Sequence, residues 1–149
     1  MIRRLVALPL LLASLTLASG CAVNRATATA SPDVNWTAVK TFYVVRTQGD
    51  TRGTENLIRD DLVKRGFSAT VGPELPKESY KVDAIVTYVD RWMWDITMYM
   101  VELTVTIRNP ANNFPLASGN SYHTSLARKS PEAMVDEVLT NIFNRAKPN

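Results

Sequence analysis

The sequence predicts an α+β domain: a mainly antiparallel sheet of four to five strands with two helices packed on one face, in the order β-α-β-β-β-β-α. Three observations predict it. Two long runs of alternating character, residues 82–94 and 99–108, follow one another. Two segments, residues 54–65 and 130–146, carry apolar side chains at helical spacing. Short β-branched and aromatic stretches bounded by turn residues fill most of the rest. Helices that accompany an antiparallel sheet bury their apolar stripe on one of its faces.

The first twenty residues stand outside that domain. Arg3 and Arg4 precede an apolar stretch, residues 5–17, and the small residues Ala18, Ser19 and Gly20 follow. A spanning helix needs ~20 apolar residues, so this stretch is short for one. Charged start, short apolar middle and small-residue end make a secretory signal peptide. The single cysteine, Cys21, comes directly after it. LASGCA resembles the bacterial lipobox, which implies diacylglyceryl transfer to the Cys21 sulfur, cleavage before it and acylation of the new N-terminus. The resemblance further implies sorting to the outer membrane, facing the periplasm, because Ala22 stands where an aspartate retains lipoproteins in the inner membrane. A secreted protein with a free thiol, or half of an intermolecular disulfide, are the alternatives for an odd cysteine.

Cleavage there leaves residues 21–149. Arg3 and Arg4 leave with the signal, so 17 basic residues become 15 against 14 acidic, a formal charge of +1. A nucleic-acid partner calls for a strong basic face, and this balance does not supply one. Residues 22–32, AVNRATATASP, are rich in Ala, Thr and Ser and read as a flexible tether that extends at most ~36 Å. A single domain is expected from residue 33 to residue 149.

Within it, KTFYVVR (residues 40–46) reads as a strand. TQGDTRG leads into the helix of residues 54–65, with Leu57, Ile58 and Leu62 on one stripe and Gly66 as its stop signal. Residues 67–71 suit a short strand, and GPELPKES a loop. Residues 82–108 cannot be one strand, since at ~3.3 Å per residue they would run ~90 Å. A reversal centred on Ile96 and Thr97 pairs Trp94 with Tyr99, Trp92 with Val101, Met93 with Met100, Arg91 with Glu102 and Thr87 with Thr106. Aromatic, opposite-charge and Thr–Thr pairs of this kind stabilise a sheet. Residues 114–125 form another strand, placed at an edge because Pro115 cannot donate to a ladder. In the last helix Ser130 is the N-cap, Pro131 the first helical residue, and Val135, Val138, Leu139 and Ile142 the buried face.

The candidate interaction surface is the hairpin end RWMWDITMYM. It holds two of the three tryptophans and three of the four methionines after Met1. Trp92, Met93, Trp94, Ile96, Met98, Tyr99 and Met100 suit an adaptable contact with an envelope protein or with lipid. They equally suit the end of a core beneath a helix. Asp90 falls among apolar neighbours opposite Leu103, which marks a bulge, a sheet edge or a candidate polar site. Catalysis has little support. The single histidine, His123, reads as a sheet-surface residue without a partner at metal-ligand spacing, and no nucleophile elbow, phosphate loop or dinucleotide fingerprint occurs. No cofactor or metal is expected, and Gly119 reads as a strand bend.

The segments NWTAVKTFYVV, LVKRGF, VDAIVTYVD, LASGNSYHTS and SPEAMVDEVLTNIF, within residues 33–146, resemble small Gram-negative outer-membrane lipoproteins built on domains of unknown function. More distantly, the architecture is similar to the lipopolysaccharide-assembly lipoprotein of the outer membrane. The expected function is that of a lipid-anchored, non-catalytic periplasmic binding or assembly-accessory protein of the outer membrane, acting through protein or lipid contacts. A structural envelope lipoprotein without a ligand, and a hydrolase with carboxylates assembled by the fold, are the alternatives.

Overall fold

The computed structural model describes residues 24–147. The signal peptide and Cys21 lie outside the described residues. Six strands and two helices are present: β1 (Asn24–Ala30), β2 (Thr41–Val45), α1 (Thr54–Lys64), β3 (Ser68–Gly72), β4 (Ala84–Asp95), β5 (Thr97–Arg108), β6 (Pro115–His123) and α2 (Pro131–Ala146). They form one sheet in the order β1-β6-β5-β4-β2-β3.

Two expectations are corrected here. The sheet has six strands rather than four or five, and it is mixed. β2 runs parallel to both β3 and β4, whereas β4–β5, β5–β6 and β1–β6 are antiparallel. α1 accounts for the parallel β2–β3 pair, because a helix between two neighbouring strands carries the chain back to the same end of the sheet. Residues 73–83 carry it back again to start β4 in the same direction. The sixth strand is β1, which occupies most of the expected tether and pairs with β6 along its whole length, from Asn24↔His123 to Ala30↔Ala117. Ala26, Ala28 and Ala30 alternate with Thr27 and Thr29 at strand period, and Ala28 and Ala30 pack against the core. Small alanines suit that strand because α2 lies over it.

β6 is therefore an inner strand, not an edge. Pro115 is tolerated because it is the first residue of β6, beyond the last β1 partner at Ala117. Both helices contribute to one core cluster. Ile58 and Leu62 of α1, and Met134, Val135, Val138, Leu139 and Ile142 of α2, meet Phe42, Val44, Val86, Leu103, Val105 and Ile107 of the strands. The strand contributions recur at every second position, so both helices lie on one face. Ser130 caps α2 as expected, its Oγ accepting from the Ala133 amide at 3.2 Å, and Gly66 follows α1 at φ 91°.

The opposite face is a ladder of polar side chains. Thr106 and Ser118 are 3.2 Å apart, Asn120 donates to Glu102 at 3.0 Å and to Thr104 at 2.9 Å, and Arg91 pairs with Glu102 at 3.0 Å. The expected Arg91–Glu102 and Thr87–Thr106 pairings are both present.

α2 passes close over Gly119, so the role of this glycine is clearance rather than bending. A Cβ at this position would stand 2.9 Å from Ile142 Cγ1 and 3.0 Å from Val138 Cγ1. Gly119→Ala is expected to push α2 off β6 and cost ~1–3 kcal/mol, the usual penalty of overpacking. Urea unfolding checks this: the midpoint should fall, and an unchanged midpoint would show that α2 accommodates the methyl.

Candidate functional site

The β4–β5 hairpin runs well past its neighbours, and its end is the site the sequence singles out. Facing residues follow the expected register from Ile85↔Arg108 to Arg91↔Glu102. There a bulge intervenes, and Trp92 faces Met100, Met93 faces Tyr99 and Trp94 faces Met98. The expected pairings beyond Arg91 are thus displaced by one residue on β5. Val101 is the extra residue, and it puts three consecutive buried residues, Tyr99, Met100 and Val101, into an otherwise alternating strand.

The bulge divides the candidate surface. Tyr99 and Met100 are buried and lie beneath it rather than on it, and Trp92 is half-buried against the core. Met93, Trp94, Ile96 and Met98 are exposed, Trp94 at 70% and Ile96 at 86%. Ile96 alone separates the two strands and has φ 59°. A β-branched residue in left-handed backbone is strained, whereas asparagine adopts it with much less penalty. The turn therefore carries a large apolar side chain where a turn residue would be more stable.

Two carboxylates brace this end. Asp90 Oδ2 accepts from Thr54 Oγ1 at 2.6 Å and from Trp92 Nε1 at 2.8 Å, while the Arg52 guanidinium lies 4.5 Å from the Trp92 ring centre. Thr54 opens α1, so Asp90 ties the hairpin to that helix. Asp95 accepts from Ser125 Oγ and, at 3.1 Å, from Arg128 Nη2. Arg128 also donates to Thr97 Oγ1 at 2.8 Å and stacks 4.4 Å from the Tyr99 ring centre. The candidate polar site at Asp90 is thus occupied by structural partners.

Two further polar clusters escaped the sequence reading. In the first, the Tyr88 hydroxyl stands 2.5 Å from Asp50 Oδ2 and 3.2 Å from Glu55 Oε2, and Arg46 donates to Glu55 Oε1 at 3.1 Å. Burial, and then the bond to Asp50, push the Tyr88 phenol far above its usual value, so it stays a donor. Burial would raise Asp50, but hydrogen bonds from Tyr88 and the Arg52 amide outweigh it and hold the carboxyl low. The second cluster surrounds His123, which is buried rather than on the sheet surface. Its Nε2 lies 2.7 Å from Glu137 Oε2, and its Nδ1 3.2 Å from Asn24 Oδ1. Ser121 Oγ donates to the same Glu137 oxygen at 2.6 Å, and Lys129 Nζ to Oε1 at 2.6 Å. Ser121 is buried and its hydroxyl donates to the carboxylate, so the imidazole is not placed as its base. It clamps α2 to β6 and β1. No sequence spacing announces either cluster, because their members come together from separate elements.

Among the described residues, no group of three or more His, Cys, Asp or Glu side chains is placed to hold a metal ion, and no helix is long and apolar enough to cross a membrane. A cleft of about 880 Å³ opens at the far end of the hairpin. It brings Arg46, Lys77 and Arg108 together with Asp50 and Glu74. Arg108 is engaged there, donating to Thr87 Oγ1 at 3.1 Å and the Asn113 carbonyl at 3.3 Å.

No protein-family model and no curated protein sequence matches the chain. Solved structures do match its fold. The PelC dodecamer from Paraburkholderia phytofirmans is 14% identical, with a TM-score of 0.59 over 80% of this chain and 96% of that one. A leucine-to-methionine variant of the same dodecamer is also 14% identical, with a TM-score of 0.60 over 80% and 98%. At this identity the likeness is one of fold.

Ile96→Asn is expected to raise stability by ~1 kcal/mol, since asparagine relieves the left-handed strain and little buried surface is lost. A higher urea midpoint would show it, and an equal or lower one would mean that the turn carries no strain. Glu137 gives a pH dependence. Burial would raise its pKa, but bonds from Lys129, Ser121 and His123 more than offset this and hold it at about 2, against 4.5 ordinarily. A carboxyl depressed on folding stabilises the protein above its unfolded value, and that stability is lost as pH falls from about 4.5 towards about 2. Glu137→Gln should flatten this acid limb of a pH–stability profile. An identical limb in the variant would assign it to other groups.

Proposed function

We propose that the chain is a lipid-anchored, non-catalytic accessory protein of the outer membrane, facing the periplasm and joined to the membrane through Cys21. It works by presenting the hairpin end around Trp94, Ile96 and Met98 to another envelope component. The observation that carries this reading is the turn at Ile96, where an exposed apolar side chain is kept in an unfavourable backbone conformation. Strain retained at an exposed position suits contact rather than stability. The polar residues suspected of chemistry lend support, because Asp90 and His123 are held in bonds that join elements of the fold.

The PelC likeness adds a suggestion about assembly. Those structures are dodecamers, and association of several copies of this chain into a closed oligomer would accord with the shared fold.

Metabolic labelling with an alkyne fatty acid, followed by membrane fractionation, tests the anchor. The chain should carry the label and sediment with the outer membrane, and Cys21→Ser should lose the label and appear in the soluble periplasm. Light scattering on the detergent-solubilised acylated protein tests assembly, with a mass several times that of one chain expected. An unlabelled wild-type chain would remove the lipoprotein reading, and a monomer at every concentration would remove the oligomer.

A further inference from the structure

The register of the sheet places the hairpin end relative to the anchor. β1 and β5 point the same way, since each is antiparallel to β6. Arg25 lies opposite Tyr122, and Tyr122 lies opposite Glu102. Asn24, one residue nearer the hairpin end, is therefore level with Val101. Val101 is the bulged residue and has no partner on β4, so Asn24 is also level with Trp92. From there the hairpin continues four residues to Ile96, ~13 Å at ~3.3 Å per residue. Cys21 precedes Asn24 by three residues, which reach at most ~11 Å even when fully extended. With the strands upright, the hairpin end thus reaches ~2 Å past the anchoring residue even if the connecting chain stretches straight towards it. A connecting chain less than fully extended increases that difference.

The chemistry of the end fits what it would meet. Trp94, Ile96 and Met98 are exposed there with Met93 beside them. Tryptophan favours the boundary between headgroups and acyl chains. Arg25 at the start of β1 stands behind these residues, placed to reach a phosphate group while the apolar side chains go deeper. Interfacial elements bury their apolar face ~5–10 Å, a depth the hairpin end reaches when the connecting chain is less than fully extended.

We propose that the end of the β4–β5 hairpin, with Trp94, Ile96 and Met98, enters the lipid interface of the same membrane that holds Cys21. The inference rests on Cys21 being the lipid anchor and names lipid as the envelope component that the exposed end contacts. Anchor and hairpin then form two points of attachment, and together they hold the sheet upright where the lipid alone would let it pivot.

The test uses the acylated protein in vesicles of phosphatidylethanolamine and phosphatidylglycerol. Acylation occupies the only native thiol, so Ile96→Cys introduces a single site for an environment-sensitive fluorophore. Ala111→Cys, in the turn at the opposite end of the sheet, is the control, and Met98→Cys is a second position at the hairpin end. Probes at 96 and 98 should shift to the blue and lose most of their fluorescence to spin-labelled lipid, while the probe at 111 should do neither. Vesicle flotation scores the anchor separately. Floating protein whose probes at 96 and 98 behave like that at 111 overturns the hairpin's insertion and leaves the anchor standing. Quenching between labelled copies, without quenching by lipid, overturns it in favour of a second copy of the chain. Protein that does not float, with Cys21 itself open to the fluorophore, overturns the anchor and this inference together.

Discussion

The antiparallel ladder between β4 and β5 is the constraint on which the other elements depend. Each strand contributes twelve residues, and these are the two longest strands. Every residue of the core face must alternate along them, and each helix closes over what the ladder presents. β6 and then β1 extend it on one side, and β2 and β3 on the other. A slip of one residue along the whole ladder would exchange the Val86, Leu103, Val105 and Ile107 row for the polar row of Thr87, Glu102, Thr104 and Thr106. The core therefore fixes the register over most of its length. Past Arg91 only Trp92 and Met100 reach the core cluster, and the bulge at Val101 resets which side chains share a face.

That division explains what could be read from the sequence and what could not. The register from Ile85 to Arg91 was legible because charge, hydroxyl and apolar pairs agree on a single alignment. Beyond Arg91 the Met- and Trp-rich residues pair acceptably in more than one alignment, so the bulge left no compositional mark apart from the anomaly of Asp90. The helices were legible from their stripes and from Ser130, Pro131 and Gly66. The edge strand β1 was misread because Ala and Thr are also the residues of a tether. Its period of two was present, but without large side chains the alternation carries little weight. The parallel half of the sheet was hidden because strand direction depends on the crossover through α1 rather than on the composition of β2 or β3. Burial of His123 depended on Glu137 arriving from α2, fourteen positions later in the chain.

The polar interior has a consistent logic. Three half-buried carboxylates join elements distant in sequence: Asp90 joins β4 to α1, Asp95 joins the hairpin to the segment before α2, and Glu137 joins α2 to β6. Charges at such positions are tolerated only when their oxygens are well supplied with donors. Arg65 provides a similar link between the helices, bonding Asp61 of α1 and both Asp136 and Thr140 of α2. The donors that meet these needs are thereby withdrawn from solvent, which leaves the apolar hairpin end as the exposed chemistry of that end of the molecule.

The direction of α2 has its own consequence. The helix begins beside the hairpin end, where Ser125 and Arg128 meet Asp95, and its sixteen residues carry the chain ~24 Å away from it. It finishes near Ala30 and Trp36, at the other pole of the sheet. The described chain thus enters at one pole and leaves at the opposite one, on the same side as the large cleft. With the hairpin pole against a surface, a cargo or reporter fused after the last helix would be displayed on the side facing away from that surface, where any partner arriving from solution would meet it first.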